Sequence, residues 1–218
     1  MKKPLSPSLD RGNLEVLSVM LPRVLRAGVF PAGLSVSIAV VCLSPLLSAQ
    51  RSHPDFRHRL APYVNSPQRA VDKMLEMANL KPGEMLYDLG CGDGRILIAA
   101  AERYHVKGVG IEISDRLART AEDNVNAMGL KDEVKIVRGD MMNIDLSHAD
   151  VVTLYLITTA NESLRPNLEK FLKKDARVVS YDYPIPGWKP VDEEKTDASR
   201  YGNRHTIYLY RVPASFKK

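Results

Sequence analysis

The chain has 218 residues, enough for one sizeable domain with a core of its own. Its two cysteines, Cys42 in an apolar run and Cys91 in a glycine turn, exclude a disulfide framework or a cysteine-rich zinc site. Five scattered histidines show no ligand spacing, so no metal is expected. The net charge of +5 is uneven: residues 1–50 hold five Lys/Arg against two acids, whereas 51–218 hold 26 against 24. The body is therefore near neutral, and no nucleic-acid partner is expected.

Residues 1–26 read as a basic leader. Ala27 to Ala49 is 23 residues without a charge, with Arg23 and Arg26 before it and Arg51, Arg57 and Arg59 after. A run this long can span a bilayer. It also has the form of a secretory signal, with "LLSAQ" as a cleavage region near Ala49 and Met20 as an alternative start. Pro31 and Pro45 suit a packed soluble helix poorly. Membrane association through 27–49 is the expectation, as an anchor or as a cleaved signal.

After a linker at 50–62, one domain is expected over 63–212, with a short tail at 213–218. "NSPQRAVDKMLEMANLKPG" predicts a helix with Ser66 as N-cap and Pro67 in the first turn. A strand follows at about 84–89, then a glycine turn and a helix from about Arg95 to Tyr104. "VKGVGIEI" (106–113) predicts the second strand, and Ser114 caps a helix to about Ala127. "EVKIV" (133–137) and "DVVTLYLI" (150–157) predict the third and fourth strands. A helix around 160–173 leads to the fifth, "ARVVSYDY" (176–183). "GWKPVDEEKT" and "HTIYLYRV" follow without a helix between them and read as a closing pair, the last strand antiparallel at or near the edge. The predicted fold class is α/β: a Rossmann-like, doubly wound seven-stranded sheet, mostly parallel.

The turn carries the functional signal. Gly90, Gly92 and Gly94 are spaced G-x-G-x-G, and Arg95 stands where the third glycine of a dinucleotide fingerprint belongs. No GK[ST] follows, which excludes a Walker loop. Asp88 ends the first strand and Asp93 lies inside the turn, and two carboxylates would repel a pyrophosphate. Glu112 ends the second strand, 24 residues after Asp88, where a carboxylate can grip ribose hydroxyls. Asp140, after the third strand, can accept from an adenine amino group, and Met141 can cover the ring. Singly, each acid suits a turn or a solvated strand end. Together, at successive strand ends beside this turn, they suit a phosphate-free, cationic adenosine compound.

With "DLGCGDGR" at 88–95 and the spaced Glu112 and Asp140, residues 63–212 resemble the class I, seven-β-strand S-adenosylmethionine-dependent methyltransferases. The resemblance implies S-adenosylmethionine as cofactor, bound by Asp88, Gly90, Cys91, Gly92, Asp93, Gly94, Glu112, Asp140 and Met141, with Tyr63 and Ser66 ahead of the first helix. There is no Asn/Asp-Pro-Pro-Tyr stretch after the fourth strand and no cysteine free for cytosine chemistry. "YVNSP", "VVTLYL" and "RVVSYDYPIPGWKP" are similar to the protein-lysine methyltransferases of the ATP synthase c-subunit and the adenine nucleotide translocase, and to their prokaryotic relatives. Asn65 stands where those relatives carry proline.

That likeness implies a protein substrate presenting a lysine, with membrane proteins among the candidates. Tyr155, Asp182 and Trp188 are the candidate catalytic residues, with Tyr181 beside them. No general base is assigned. Small-molecule or lipid-like acceptors are the alternative, although only about twenty residues (184–203) are left for a lid. Because the donor is made in the cytosol, an anchor with the domain facing the cytosol is expected over export after cleavage.

Overall fold

The computed structural model describes residues 63–196 and 204–216. The expected leader, apolar segment and linker lie outside them, as do 197–203 and 217–218.

Helix α1 (Gln68–Ala78) turns Ala70, Val71, Met74, Leu75 and Ala78 into the core, and burial of Val71, Met74 and Leu75 contributes about 1.5–3 kcal/mol each. Its N-cap is Pro67 and no side chain caps it, so the predicted Ser66 cap is not made. Ser66 is buried and its carbonyl accepts from Arg95 Nη1 at 2.9 Å. The far end of α1 is pinned by Arg177: its Nη1 donates to the carbonyls of Ala78 and Asn79, and its Nη2 to Glu84 Oε1.

The chain then alternates: β1 (Met85–Leu89), α2 (Arg95–Tyr104), β2 (Lys107–Glu112), α3 (Asp115–Ala127), β3 (Val134–Arg138), β4 (Val151–Leu154), α4 (Thr158–Phe171), β5 (Arg177–Tyr181), β6 (Asp192–Thr196) and β7 (His205–Arg211). Ser114 caps α3 as expected, accepting from Leu117 N. Strands β4 and β5 stop earlier than predicted. Ile157 is already the N-cap of α4, so the chain must leave the sheet after Leu154. Asp182 takes a left-handed φ of 68°, which ends β5 at Tyr181.

The sheet order is β3-β2-β1-β4-β5-β7-β6. The first five strands are parallel, and β7 runs antiparallel between β5 and β6. The edge strand is therefore β6, and β7 lies one strand in. The edge is Asp192-Glu193-Glu194-Lys195-Thr196, charged enough to discourage further pairing. Helices α1, α2 and α3 share one core face with Tyr181 and Ile207, while α4 shares the other with Trp188 and Tyr210. The chain reverses its direction of travel across the sheet between β1 and β4, and ligands of open α/β sheets bind beyond the strand ends at such a point.

Candidate active site

One pocket opens at that point, walled by the glycine turn, the ends of β1 and β2, and the segment before α1. Gly90, Gly92 and Gly94 all have left-handed φ values, +81°, +59° and +81°. At Gly92 a Cβ would also meet Tyr63 Cε2 at 2.5 Å, so the Tyr63 ring would have to move to admit a side chain. The turn is tied to β2: Gly90 and Cys91 N–H donate to the Ile111 carbonyl, and Gly92 N–H to Glu112 Oε2 at 3.0 Å. Glu112 Oε1 accepts from Ser114 N–H at 2.8 Å. Both oxygens of this buried carboxylate are thus oriented by backbone, and each keeps lone-pair capacity on the pocket side.

Asp88 is 3% exposed. Its Oδ1 accepts from Thr153 Oγ1 at 2.8 Å, while Oδ2 has no hydrogen-bond partner among the described residues. Burial, opposed by Thr153 and reinforced by Glu112 and Asp93, pushes the Asp88 carboxyl up to about 7. Asp93 also lines the pocket, with a cationic partner from its own turn. Its carboxylate takes Arg95 Nε and Nη2, so its charge is already matched. Burial alone would raise Asp93; the Arg95 pair holds it below the usual carboxylate range. Arg95 also reaches Ser66, so it straps the Tyr63–Ser66 segment across the turn. Cys91 is buried, its thiol pushed up by burial. Asp140 and Met141 line the opposite wall, and Asp140 Oδ1 accepts from Met142 N–H at 2.9 Å.

Beside this pocket lies a tyrosine cluster. Tyr155 lines the pocket and its ring centroid is 4.6 Å from that of Tyr181 and 6.4 Å from that of Tyr183. Burial, then the nearby Asp182 carboxylate, raises the Tyr155 phenol. The Tyr181 hydroxyl is buried without a hydrogen-bond partner among the described residues. Asp182 does not line the pocket; its Oδ1 lies 3.0 Å from His205 Nδ1, and the His205 ring is 5.4 Å from that of Tyr181. His205 carries no signal in the sequence, because only the antiparallel return of β7 brings it to the end of β5. Trp188 lies apart from these tyrosines. Its Nε1 donates to Glu169 at 2.8 Å and its ring packs on Tyr210 and Phe216, in the core face opposite Tyr155 and Tyr181.

Comparison with known proteins decides the family. The model of the ANTKMT methyltransferase domain matches residues 88–192. A protein-lysine N-methyltransferase of Saccharolobus islandicus is 45% identical over 152 residues, 69% of this chain and 93% of that protein. The chain belongs to the ANTKMT methyltransferase family. The adenine nucleotide translocase lysine N-methyltransferase of mouse is 33% identical over 60% of this chain, which spans 56% of that relative's length. A solved structure of an RNA methyltransferase from Salinibacter ruber, in complex with S-adenosyl-L-homocysteine, is 38% identical, with a TM-score of 0.66 over 71% of this chain and 97% of that one.

The donor of this methyltransferase family fits the site by its chemistry. S-adenosylmethionine is cationic at the sulfonium and the α-amine and carries no phosphate. The pocket offers a buried carboxylate oxygen at Asp88 without a partner among the described residues, an oriented carboxylate at Glu112, and a turn with left-handed φ at Gly90, Gly92 and Gly94.

Proposed function

We propose that the protein transfers a methyl group from S-adenosylmethionine to the ε-amine of a lysine on a protein. The observation that carries this reading is the 45% identity to the Saccharolobus islandicus protein-lysine N-methyltransferase across nearly its whole length. When bound, S-adenosylmethionine supplies a methyl carbon already activated for in-line displacement. What is asked of the chain is binding, alignment and exclusion of water.

In this reading the glycine turn and Asp88 hold the methionine end, Glu112 the ribose hydroxyls, and Asp140 with Met141 the adenine. Tyr63, strapped over Gly92 through Ser66 and Arg95, covers the turn. Tyr155 forms the wall between donor pocket and tyrosine cluster, where a lysine side chain enters. A lysine titrates at about 10.4 in water and can attack only when neutral, and an apolar, aromatic passage disfavours the bare ammonium.

The likeness to the Salinibacter ruber RNA methyltransferase favours RNA as a second acceptor class. The near-neutral body of 51–218 offers a polyanion little general attraction. We also propose that the acceptor is a membrane protein and that the uncharged run 27–49 holds the enzyme at a membrane, its domain on the cytosolic side. Among the described residues no helix is long and apolar enough to cross a membrane.

The test is transfer of radiolabelled methyl by the purified full-length chain to separate membrane, soluble-protein and total RNA fractions of a lysate. Label in protein, mapped to lysine by mass spectrometry and concentrated in the membrane fraction, is expected. Label confined to RNA or to extractable small molecules overturns the lysine reading and leaves the donor site standing.

A further inference from the structure

The loop that follows β5, Tyr183 to Gly187, forms no helix or strand, and Pro184 and Pro186 leave it short of N–H donors. Its carbonyls must therefore be met from outside. One stripe of α4 meets them. Asn161, Arg165 and Glu169 are spaced i, i+4, i+8 and share a helix face. Asn161 Nδ2 donates to the carbonyls of Tyr183 at 3.0 Å and Pro184 at 3.4 Å, and Arg165 Nη1 to that of Pro186 at 2.8 Å. Glu169 accepts from Trp188 Nε1 just beyond the loop. We propose that Asn161 is a positioning residue of the acceptor site: its grip on the two carbonyls fixes the Tyr183 ring against Tyr155 as the outer wall along which the acceptor lysine lies. The proposal rests on the protein-lysine reading above.

Tyr183 adjoins the donor pocket by direct contact. Tyr155 lines that pocket, and the Tyr183 ring stacks on it with centroids 6.4 Å apart and planes at 29°. Both rings are half-buried, so they stand at the open margin of the site. Tyr183 is also where the loop leaves this side of the sheet. Ile185, two residues on, is already in the opposite core face with Trp188. Asn161 therefore holds the chain at the crossing itself, whereas Arg165 and Glu169 act beyond it. Helix α4 governs both rings: Tyr155 stands two residues ahead of its N-cap, Ile157, and Tyr183 is tied to it through Asn161.

The chemistry of the tether fits a fixed wall better than a mobile flap. Asn161 is fully buried, and the Tyr183 carbonyl also accepts from Ser180 Oγ, itself 3.4 Å from Asn161 Nδ2. The two carbonyls dictate which way the amide faces, because the reverse would set Oδ1 against them. In the orientation they impose, Oδ1 is buried with no partner among the described residues. Such an oxygen costs stability, and the tether is kept at that cost. A second fixed ring narrows the positions open to a lysine side chain. The amine nitrogen must come within about 3–3.5 Å of the methyl carbon, in line, for transfer to be fast.

The test compares the full-length wild type with Asn161→Ala, Tyr183→Ala, the double variant and Arg165→Ala. Total lysate protein at limiting concentration serves as acceptor, S-adenosylmethionine is saturating, and methyllysine is counted after acid hydrolysis. Tyr183→Ala should lower kcat/KM for protein about tenfold and Asn161→Ala about fivefold, as a misplaced acceptor does. The double variant should lose no more than about tenfold, because both changes act through one ring. S-adenosylhomocysteine affinity by calorimetry should match wild type throughout. Arg165→Ala frees the Pro186 carbonyl beyond the crossing, so it should lower the melting temperature as Asn161→Ala does while transfer stays within about twofold of wild type. Asn161→Ser, able to donate a single bond, should fall between Asn161→Ala and wild type, and it takes the place of Asn161→Ala if that variant does not fold. Losses that multiply in the double variant, an equal loss in Arg165→Ala, or wild-type transfer in Asn161→Ala would each overturn the positioning role. Wild-type methyllysine would still support the lysine reading in those cases. Absence of methyllysine with wild type, with label in RNA or small molecules, overturns both.

Discussion

Along the carboxyl edge of the sheet, the half formed by β1, β2 and β3 and the half formed by β4, β5 and β7 carry opposite chemistry. The first presents Asp88, Glu112 and Asp140 at successive strand ends, two of them buried and each fixed by a backbone or hydroxyl donor. The second presents Tyr155, Tyr181 and Tyr183, with one carboxylate and one imidazole at its outer margin. The contrast follows from the two reactants. A permanently cationic donor is gripped by carboxylates whose desolvation it offsets. An amine acceptor must lose its charge, and for that a dry aromatic wall is better than a carboxylate beside the nitrogen.

The largest expected effect would break the donor half alone. Glu112→Ala removes the acceptor of both Gly92 and Ser114 N–H groups and the carboxylate facing the pocket. Charge-assisted bonds of this kind are worth about 1.5–3 kcal/mol each, so S-adenosylhomocysteine affinity should fall on the order of 100-fold by calorimetry. Unchanged affinity with lost transfer would move Glu112 to the acceptor side. The reciprocal test is Tyr155→Ala. Loss of the apolar burial between this ring and a lysine stem is worth about 2 kcal/mol, so transfer should fall roughly 30-fold. Donor affinity should change much less. Equal losses of both would show that the halves are not separable at this residue.

The halves also differ in how far they could be read from the chain. The donor half is built from consecutive strand–turn–helix units, so "DLGCGDGR", Glu112 and Asp140 announce their positions by spacing alone. The mostly parallel sheet and the antiparallel return were legible for the same reason: hydrophobic runs alternating with capped helices, then two strands with no helix between. What spacing could not carry was pairing across the fold. Arg95 claims Asp93, two residues away, because its backbone opens α2 and folds the guanidinium back over the turn. His205 joins Asp182 only through the register of β5 and β7. Trp188, close to Asp182 in sequence, goes to the other face because the chain crosses the sheet end at Ile185, whose N–H donates to Tyr210 Oη.

A smaller effect sharpens the donor half through pH. Asp88 has its carboxyl raised by burial to about 7, above its unfolded value near 4. A raised acid contributes stability that is complete below the unfolded value and lost as pH climbs through the folded one. The donor-free protein should therefore lose melting temperature between about pH 4 and 7. A cationic donor prefers the ionised form, so donor affinity should rise over the same interval, by up to tenfold per unit below pH 7. Asp88→Asn should flatten both curves, raising the melting temperature at pH 8 while weakening the donor. A wild-type affinity that is flat in pH would mean that Asp88 is already ionised and partnered without the donor.

The smallest expected effect tests the division by faces of the sheet. Trp188 is 4% exposed, bonded through Nε1 to Glu169 and packed on Tyr210 and Phe216, all on the α4 side. Trp188→Phe keeps most of that packing and removes one side-chain hydrogen bond, at a cost of about 1 kcal/mol. The melting temperature should drop by a few degrees. Methyl transfer at 25 °C, donor affinity and the pH dependence of transfer should all stay at wild type, because among the described residues the indole packs in the core face opposite Tyr155 and Tyr181. A tenfold loss of transfer in a folded Trp188→Phe variant would mean that the indole reaches the acceptor. The passage for lysine would then run around the end of β5 to the α4 face, and the wall at Tyr155 would be only one side of it.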